Sequence, residues 1–182
     1  MKKWIKLSSN HDVVMIKNQL DYLISEKKLV SDTTKRSTTG KDCKQYDLTP
    51  IIDNWSPLIY NLRLQAGQLL NDKGLMTIND TLDLLSVWTV LGYEDSFHKV
   101  HLHSKEEDHI STVSYLSVPE EDENKPGSFF AIIDDQVYLK NPKVGDMIVI
   151  PSNVLHGTYP QGKGLRQTFN VDFKITRNVP FN

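Results

Sequence analysis

The run LRQTFNVDFKI, residues 165–175, decides how this chain is read. On an extended backbone, Leu165, Gln167, Phe169, Val171, Phe173 and Ile175 share one side and are mostly apolar. Arg166, Thr168, Asn170 and Asp172 share the other side and are all polar. A period of two predicts a β-strand whose apolar face lies in a core. The polar face then either meets solvent or looks into the mouth of a barrel.

Upstream of this strand the pattern repeats in short β-rich runs. They cover approximately 82–91, 97–103, 110–118, 128–133, 136–140 and 146–151. Gly92, Pro126-Gly127, Asp134-Asp135, Asn141-Pro142, Gly145 and the Pro160 to Gly164 stretch separate them, all turn chemistry. No gap between the runs has room for a crossover helix. An antiparallel sandwich or barrel is therefore predicted rather than βαβ units. The first eighty residues read differently. Val13, Val14, Ile16, Leu20, Leu23 and Ile24 recur at helical spacing over 11–27, with Ser9 or Asn10 as the cap. A second helix starts at Ser56-Pro57, with Ser56 as cap. It runs through Leu58, Leu62, Ala66, Leu69 and Leu70 and stops at Asn71-Asp72-Lys73-Gly74. The polar stretch 31–47 reads as a loop, and both helical stripes read as faces that pack on the sheet. The expectation is a single domain over 1–182, with a helical part at 1–80 and a β core at 82–176.

Composition narrows the function classes. A hydrophobic content of 38% and a charged content of 24% describe a globular chain able to bury a core. Net charge is −2, and neither a basic groove nor an aromatic ladder is visible, so nucleic acid is not expected as a partner. No apolar run approaches the roughly 18 residues that would suggest a membrane span. The N-terminus MKKWIKLSSN lacks the apolar core of a signal peptide. Cys43 is the only cysteine, which excludes an intrachain disulfide and a thiolate metal cluster. A cytoplasmic setting is expected by default. The acidic EEDEN at 120–124 reads as a solvated loop.

Five of the six histidines lie between 98 and 156. His101 and His103 form an H-x-H in FHKVHLH, and i, i+2 side chains on a strand point to one face. His156 follows about fifty residues later in IPSNVLHGTYP. Three imidazoles suit iron, zinc, copper or nickel rather than magnesium or calcium. Arg166 lies ten residues beyond His156, and a guanidinium grips a carboxylate bidentately. On a regular strand His98 should face away from His101, and His109 opens the next strand or ends the loop before it. Both read as structural or supporting residues. His11 stands apart in the N-terminal helix.

The order of these pieces resembles the double-stranded β-helix oxygenases that use Fe(II) and 2-oxoglutarate, in particular their prolyl-hydroxylase-like branch. The matching segments are SVWTV around Trp88, HLH at 101–103 and TVSYLSVPE at 112–120. They continue with PKVGDMIVIPSNVLHGTYP at 142–160 and RQTFNVDF at 166–173. The resemblance covers about residues 84–175. It implies a mainly β fold, a jelly-roll core of antiparallel strands with the N-terminal helices packed on it. It implies His101 and His156 as iron ligands and Arg166 on the distal carboxylate of 2-oxoglutarate. Thr168 and Tyr115 would add hydrogen bonds to that cosubstrate. No catalytic residue beyond the metal ligands is implied. O₂ would be the second cosubstrate, with succinate and CO₂ released as a peptide or small metabolite is hydroxylated. Trp88 would form part of the substrate wall, or simply pack.

One position departs from the family. The usual triad is two histidines and a carboxylate, the acid two residues after the first histidine. Here that residue is His103. Three readings stay open: His103 is the third ligand, an acid among Glu106, Glu107 and Asp108 replaces it, or the position is empty. A cupin-like metalloenzyme using three histidines without 2-oxoglutarate also fits the pattern, as does a non-catalytic β-sandwich binding module. The sequence leaves oligomeric state unread.

Overall fold

The computed structural model describes residues 6–9, 13–26, 29 and 43–178. Two antiparallel sheets face each other, with two helices on the outside of the larger one. In chain order the elements are β1 (Lys6–Ser9), α1 (Val13–Glu26), β2 (Cys43–Asp47), α2 (Pro57–Asp72) and β3 (Thr81–Gly92). Then follow β4 (His109–Ser117), β5 (Phe129–Ile133), β6 (Gln136–Lys140), β7 (Asp146–Pro151), β8 (Leu155–Thr158) and β9 (Arg166–Thr176). The larger sheet has the order β1-β7-β4-β9-β3-β2 and the smaller β6-β5-β8. This is a mainly β architecture of antiparallel strands, as the strand pattern predicts, and the jelly roll that the family resemblance implies.

The two faces of β9 separate as their alternation requires. Phe169, Val171, Phe173 and Ile175 are buried in one core with Ile16 and Leu20 of α1 and the α2 stripe. That stripe is Leu58, Ile59, Leu62, Ala66 and Leu70, at helical spacing along one side. Its four large side chains bury about 1.5–3 kcal/mol of transfer free energy each. That exceeds what isolated helices of this length can supply from propensity alone. Gln167, the polar exception on this face, donates to Asp21 Oδ1 of α1 at 3.1 Å. A second core fills the space between the sheets, from Val113 and Tyr115 of β4 to Phe129, Ala131, Ile148 and Ile150.

Helix α2 begins with Pro57 in its first turn, and Ser56 is its cap residue. The Ser56 hydroxyl makes no capping hydrogen bond; the Ser56 carbonyl accepts from Ile59 and Tyr60 instead. Gly74, at φ 65°, ends the helix in the left-handed conformation, and Leu75 N returns to Leu70 O at 2.9 Å.

Three local readings change. Residues 43–47 form β2, an edge strand paired with β3, rather than a loop. Only Cys43 and Tyr46 of its five residues are buried, so its sequence carries no clear period of two. Residues 97–103 do not form a regular strand; an isolated bridge joins His101 to His156. Residues 155–158, which fall outside the predicted β runs, form β8, paired to β5. The expected N-cap at Asn10 lies outside the described residues, as do His11 and residues 31–42.

Candidate metal and carboxylate site

A cavity of about 550 Å³ opens between the sheets, and the polar face of β9 forms its floor. Register builds this floor in rows. Asp172 lies beside Ser86 of β3 and Ser111 of β4. Asn170 lies beside Trp88 and Val113, and Thr168 beside Val90 and Tyr115. Arg166 ends the series beside Gly92, which pairs in turn with Cys43 of β2.

Near the Asp172 row stand His101, His103 and His156, whose ligand atoms lie within 4.8 Å of one another. The backbone holds two of them together: His101 N donates to His156 O and His156 N to His101 O, at 3.0 and 2.9 Å. His103 N donates to Ser152 O at 2.9 Å. His156 is followed by Gly157, where a Cβ would lie 2.8 Å from both the His98 carbonyl oxygen and Phe130 Cζ. Only glycine lets β8 approach the histidine segment so closely.

Each imidazole is oriented through its Nδ1. His101 Nδ1 lies 2.6 Å from Lys99 O, and His156 Nδ1 2.9 Å from Val154 O. His103 Nδ1 lies 2.8 Å from Asp172 Oδ1 and 2.9 Å from Ser111 Oγ. A carbonyl or carboxylate can only accept, so each Nδ1 carries the proton and each Nε2 presents a lone pair. His101 Nε2 and His103 Nε2 are 3.2 Å apart. Lone pairs that close together fit a shared cation. Burial, reinforced by the neighbouring imidazoles, pushes the pKa of His156 well below its ordinary value. Burial also lowers His101 to about 4, although its bond to Lys99 works in the other direction. These two rings therefore stay neutral, the form that binds metal.

At the opposite end Arg166 is 3% exposed. Its Nη1 donates to Gly127 O at 3.4 Å, and its Nη2 is buried without a hydrogen-bond partner. Burial lowers its pKa, while Tyr115 and a hydrogen bond to the Cys43 thiol favour the charged form. A buried guanidinium nitrogen left unmatched is costly, and an incoming carboxylate would satisfy it. Thr168 and Tyr115 flank it on the next row; burial raises the Tyr115 pKa, which keeps the phenol a donor.

The acids named as alternatives to His103 do not join the histidines. Glu106 and Glu107 are exposed, and Asp108 sits near His109 and Lys174. His98 departs from expectation: because its segment is not a regular strand, its ring lines the cavity, 6.1 Å from that of His101. His98 Nε2 is buried without a partner. Trp88 also lines the cavity and meets His103 edge-on at 5.1 Å.

Comparison with solved structures bears on this arrangement. A viral collagen prolyl hydroxylase from Paramecium bursaria Chlorella virus-1, solved as a 2-oxoglutarate complex, superposes with a TM-score of 0.65 at 14% identity. The match covers 94% of this chain and 97% of that one. An oxidoreductase of the 2OG-Fe(II) oxygenase family from Burkholderia pseudomallei matches with a TM-score of 0.64 at 14% identity, over 93% and 84% of the two chains. This chain has the fold of the Fe(II)/2-oxoglutarate oxygenases. HygX from Streptomyces hygroscopicus, solved with nickel and 2-oxoglutarate, shares that oxygenase fold with a TM-score of 0.62 at 12% identity, over 95% and 83%. No family model matches the sequence, and no curated protein matches it either.

Within the oxygenase fold, the sequence pattern did not reveal the partner of His103. Asp172 could be placed on the polar face of β9, but its row-mates Ser86 and Ser111 depend on register. Cys43 beside Arg166 was equally hidden, since β2 was not read as a strand.

Proposed function

We propose that this protein is an Fe(II)- and 2-oxoglutarate-dependent dioxygenase acting on a peptide or small metabolite. The observation that carries the reading is one cavity with three convergent imidazole Nε2 atoms near one end and a buried guanidinium with an unmatched nitrogen at the other. His101, His103 and His156 would hold the iron, and Arg166 the distal carboxylate of 2-oxoglutarate. Thr168 and Tyr115 would add hydrogen bonds to that carboxylate or its chain. Together the bound iron and 2-oxoglutarate supply, with O₂, the oxidising power, and succinate and CO₂ are released.

The chain's own contribution is orientation and exclusion of water. The Nδ1 bonds fix each ring, Trp88 walls one side, and Gln45 and Asp47 of β2 line the approach. Neighbours with this fold were solved with a hypoxia-inducible-factor peptide and with hygromycin B, which supports both substrate classes. Among the described residues no helix is long and apolar enough to cross a membrane. With its single cysteine the chain suits a reducing compartment, and the cytoplasm is the setting we propose.

The test is succinate formation by tag-free protein supplied with Fe(II), 2-oxoglutarate and O₂. A slow uncoupled release that needs all three is expected. Absence of succinate together with absence of 2-oxoglutarate binding would sink the proposal. A second reading has one observation in its favour, the donor set of three histidines without an acid. Stoichiometric metal binding with no effect of 2-oxoglutarate on the metal's spectrum would select that cupin-like chemistry instead.

A further inference from the structure

This inference rests on the reading of His101, His103 and His156 as metal ligands. With an acid in the third position, a divalent ion keeps one negative charge among its direct ligands. With His103 there it keeps none. Asp172 stands directly behind that residue, its Oδ1 2.8 Å from His103 Nδ1. The other carboxylate oxygen, Oδ2, accepts from Ser86 Oγ at 3.0 Å. The side chains of His103 and Asp172 are only 10% and 14% exposed, so water screens the pair weakly. On the far side, Ser111 Oγ lies 2.9 Å from the same Nδ1 and 2.8 Å from Ser152 Oγ. Ser86, Asp172 and Ser111 are register neighbours across three strands, which makes this row part of the sheet and not a loop accident.

The contrast with the other two rings is informative. His101 and His156 turn Nδ1 to the neutral carbonyls of Lys99 and Val154. His103 alone turns it to a carboxylate. A carboxylate accepting from the far nitrogen of a metal-bound imidazole fixes its tautomer and raises its basicity. The geometry points to a relayed ligand: Asp172 acts through His103 as a positioning residue and supplies from behind the ring the negative charge that the third ligand lacks. The acid of the triad has, in effect, moved one layer back, from the sequence position of His103 to the face of β9.

Cobalt binding to tag-free apoprotein tests this without any turnover. Co(II) affinity is measured by calorimetry, and the ligand field by its visible absorption bands. Asp172→Asn should weaken binding by roughly 10–100-fold and shift the bands. Asp172→Glu should recover part of the loss. In a His103→Asp background, Asp172→Asn should cost no affinity, because the negative charge then sits on the metal and the relay is gone. Should Asp172→Asn fail to fold, Ser86→Ala carries the same test, since it frees Asp172 from its tie and should lower affinity several-fold. Unchanged affinity and bands in Asp172→Asn, with tight wild-type binding, would overturn the relay and leave the metal site standing. A loss that persists in the His103→Asp background would overturn it too, by making Asp172 a direct ligand. Failure of the wild type to bind Co(II) would remove both the metal site and the relay.

Discussion

Near one end of the cavity, three rings have their Nδ1 atoms bonded and turn their Nε2 atoms toward one another. At the other end a nearly inaccessible guanidinium keeps one nitrogen without a partner. The first arrangement gathers lone pairs and wants a cation. The second holds an unmatched donor and wants an anion. Each would be an awkward feature alone in a core, because buried polar groups without partners destabilise the fold. Together, in a single cavity, they fit one ligand that chelates a metal at one end and carries a carboxylate at the other. The two ends also differ in how they are held. The histidines come from residues 98–103 and from β8, linked outside any regular ladder, whereas Arg166 opens the central strand β9.

If the ends are separate devices, they should be separable. His156→Ala is expected to abolish detectable Co(II) or Fe(II) binding, since it removes one of three donors while leaving the backbone pair with His101 in place. Isothermal titration checks it, and retained tight binding would show that the histidines do not act as a set. The histidine end should also betray itself in the stability of the metal-free protein. His98, His101 and His156 all have pKa values lowered by burial, His101 to about 4, against about 6.5 in an unfolded chain. The unfolded state therefore takes up protons first as pH falls. The contribution of these rings is fully present above about pH 6.5 and is lost progressively below it, toward pH 4 for His101. Each ring contributes a slope of up to about 1.4 kcal/mol per pH unit. Urea midpoints between pH 7.5 and 5 measure this, and a flat profile would mean that the rings are solvated.

The arginine end should give the smallest of the three effects. Arg166→Ala should weaken 2-oxoglutarate binding by roughly 1.5–3 kcal/mol, the range for a charged hydrogen bond, and leave Co(II) affinity intact. A parallel fall in metal affinity would break the division between the two ends. Unchanged 2-oxoglutarate affinity would remove Arg166 from the role.

Much of this was legible in the sequence because β9 alternates so cleanly. Phe169, Val171 and Phe173 against Thr168, Asn170 and Asp172 separate a core face from a polar face, and only the choice between solvent and cavity for the latter stays open in the sequence. The helical stripes were equally plain. Less plain were elements whose identity depends on their neighbours. CKQYD is a strand because β3 offers an edge, and LHGT because β5 does. His98 was misplaced for the same reason: a period of two was assumed for a segment that the backbone of β8 bends to its own needs. Residues on the cavity floor were readable one by one, but the pairing of Asp172 with His103, sixty-nine positions apart, is a fact of tertiary folding, in which an irregular segment lays its side chain on a strand.

The central position of β9 has a consequence for the birth of the molecule. Although it follows β3 and β4 in the chain, it lies between them and pairs with both. On a ribosome, those two strands emerge with open edges and stay so until residues 166–176 leave the exit tunnel. Non-local pairing of this kind is slow and exposes sticky edges to other nascent chains. The segment that closes the sheet also delivers Arg166, Thr168, Asn170 and Asp172. Synthesis thus withholds the cavity floor until the same moment that it seals the barrel, and a polypeptide interrupted before that point has neither.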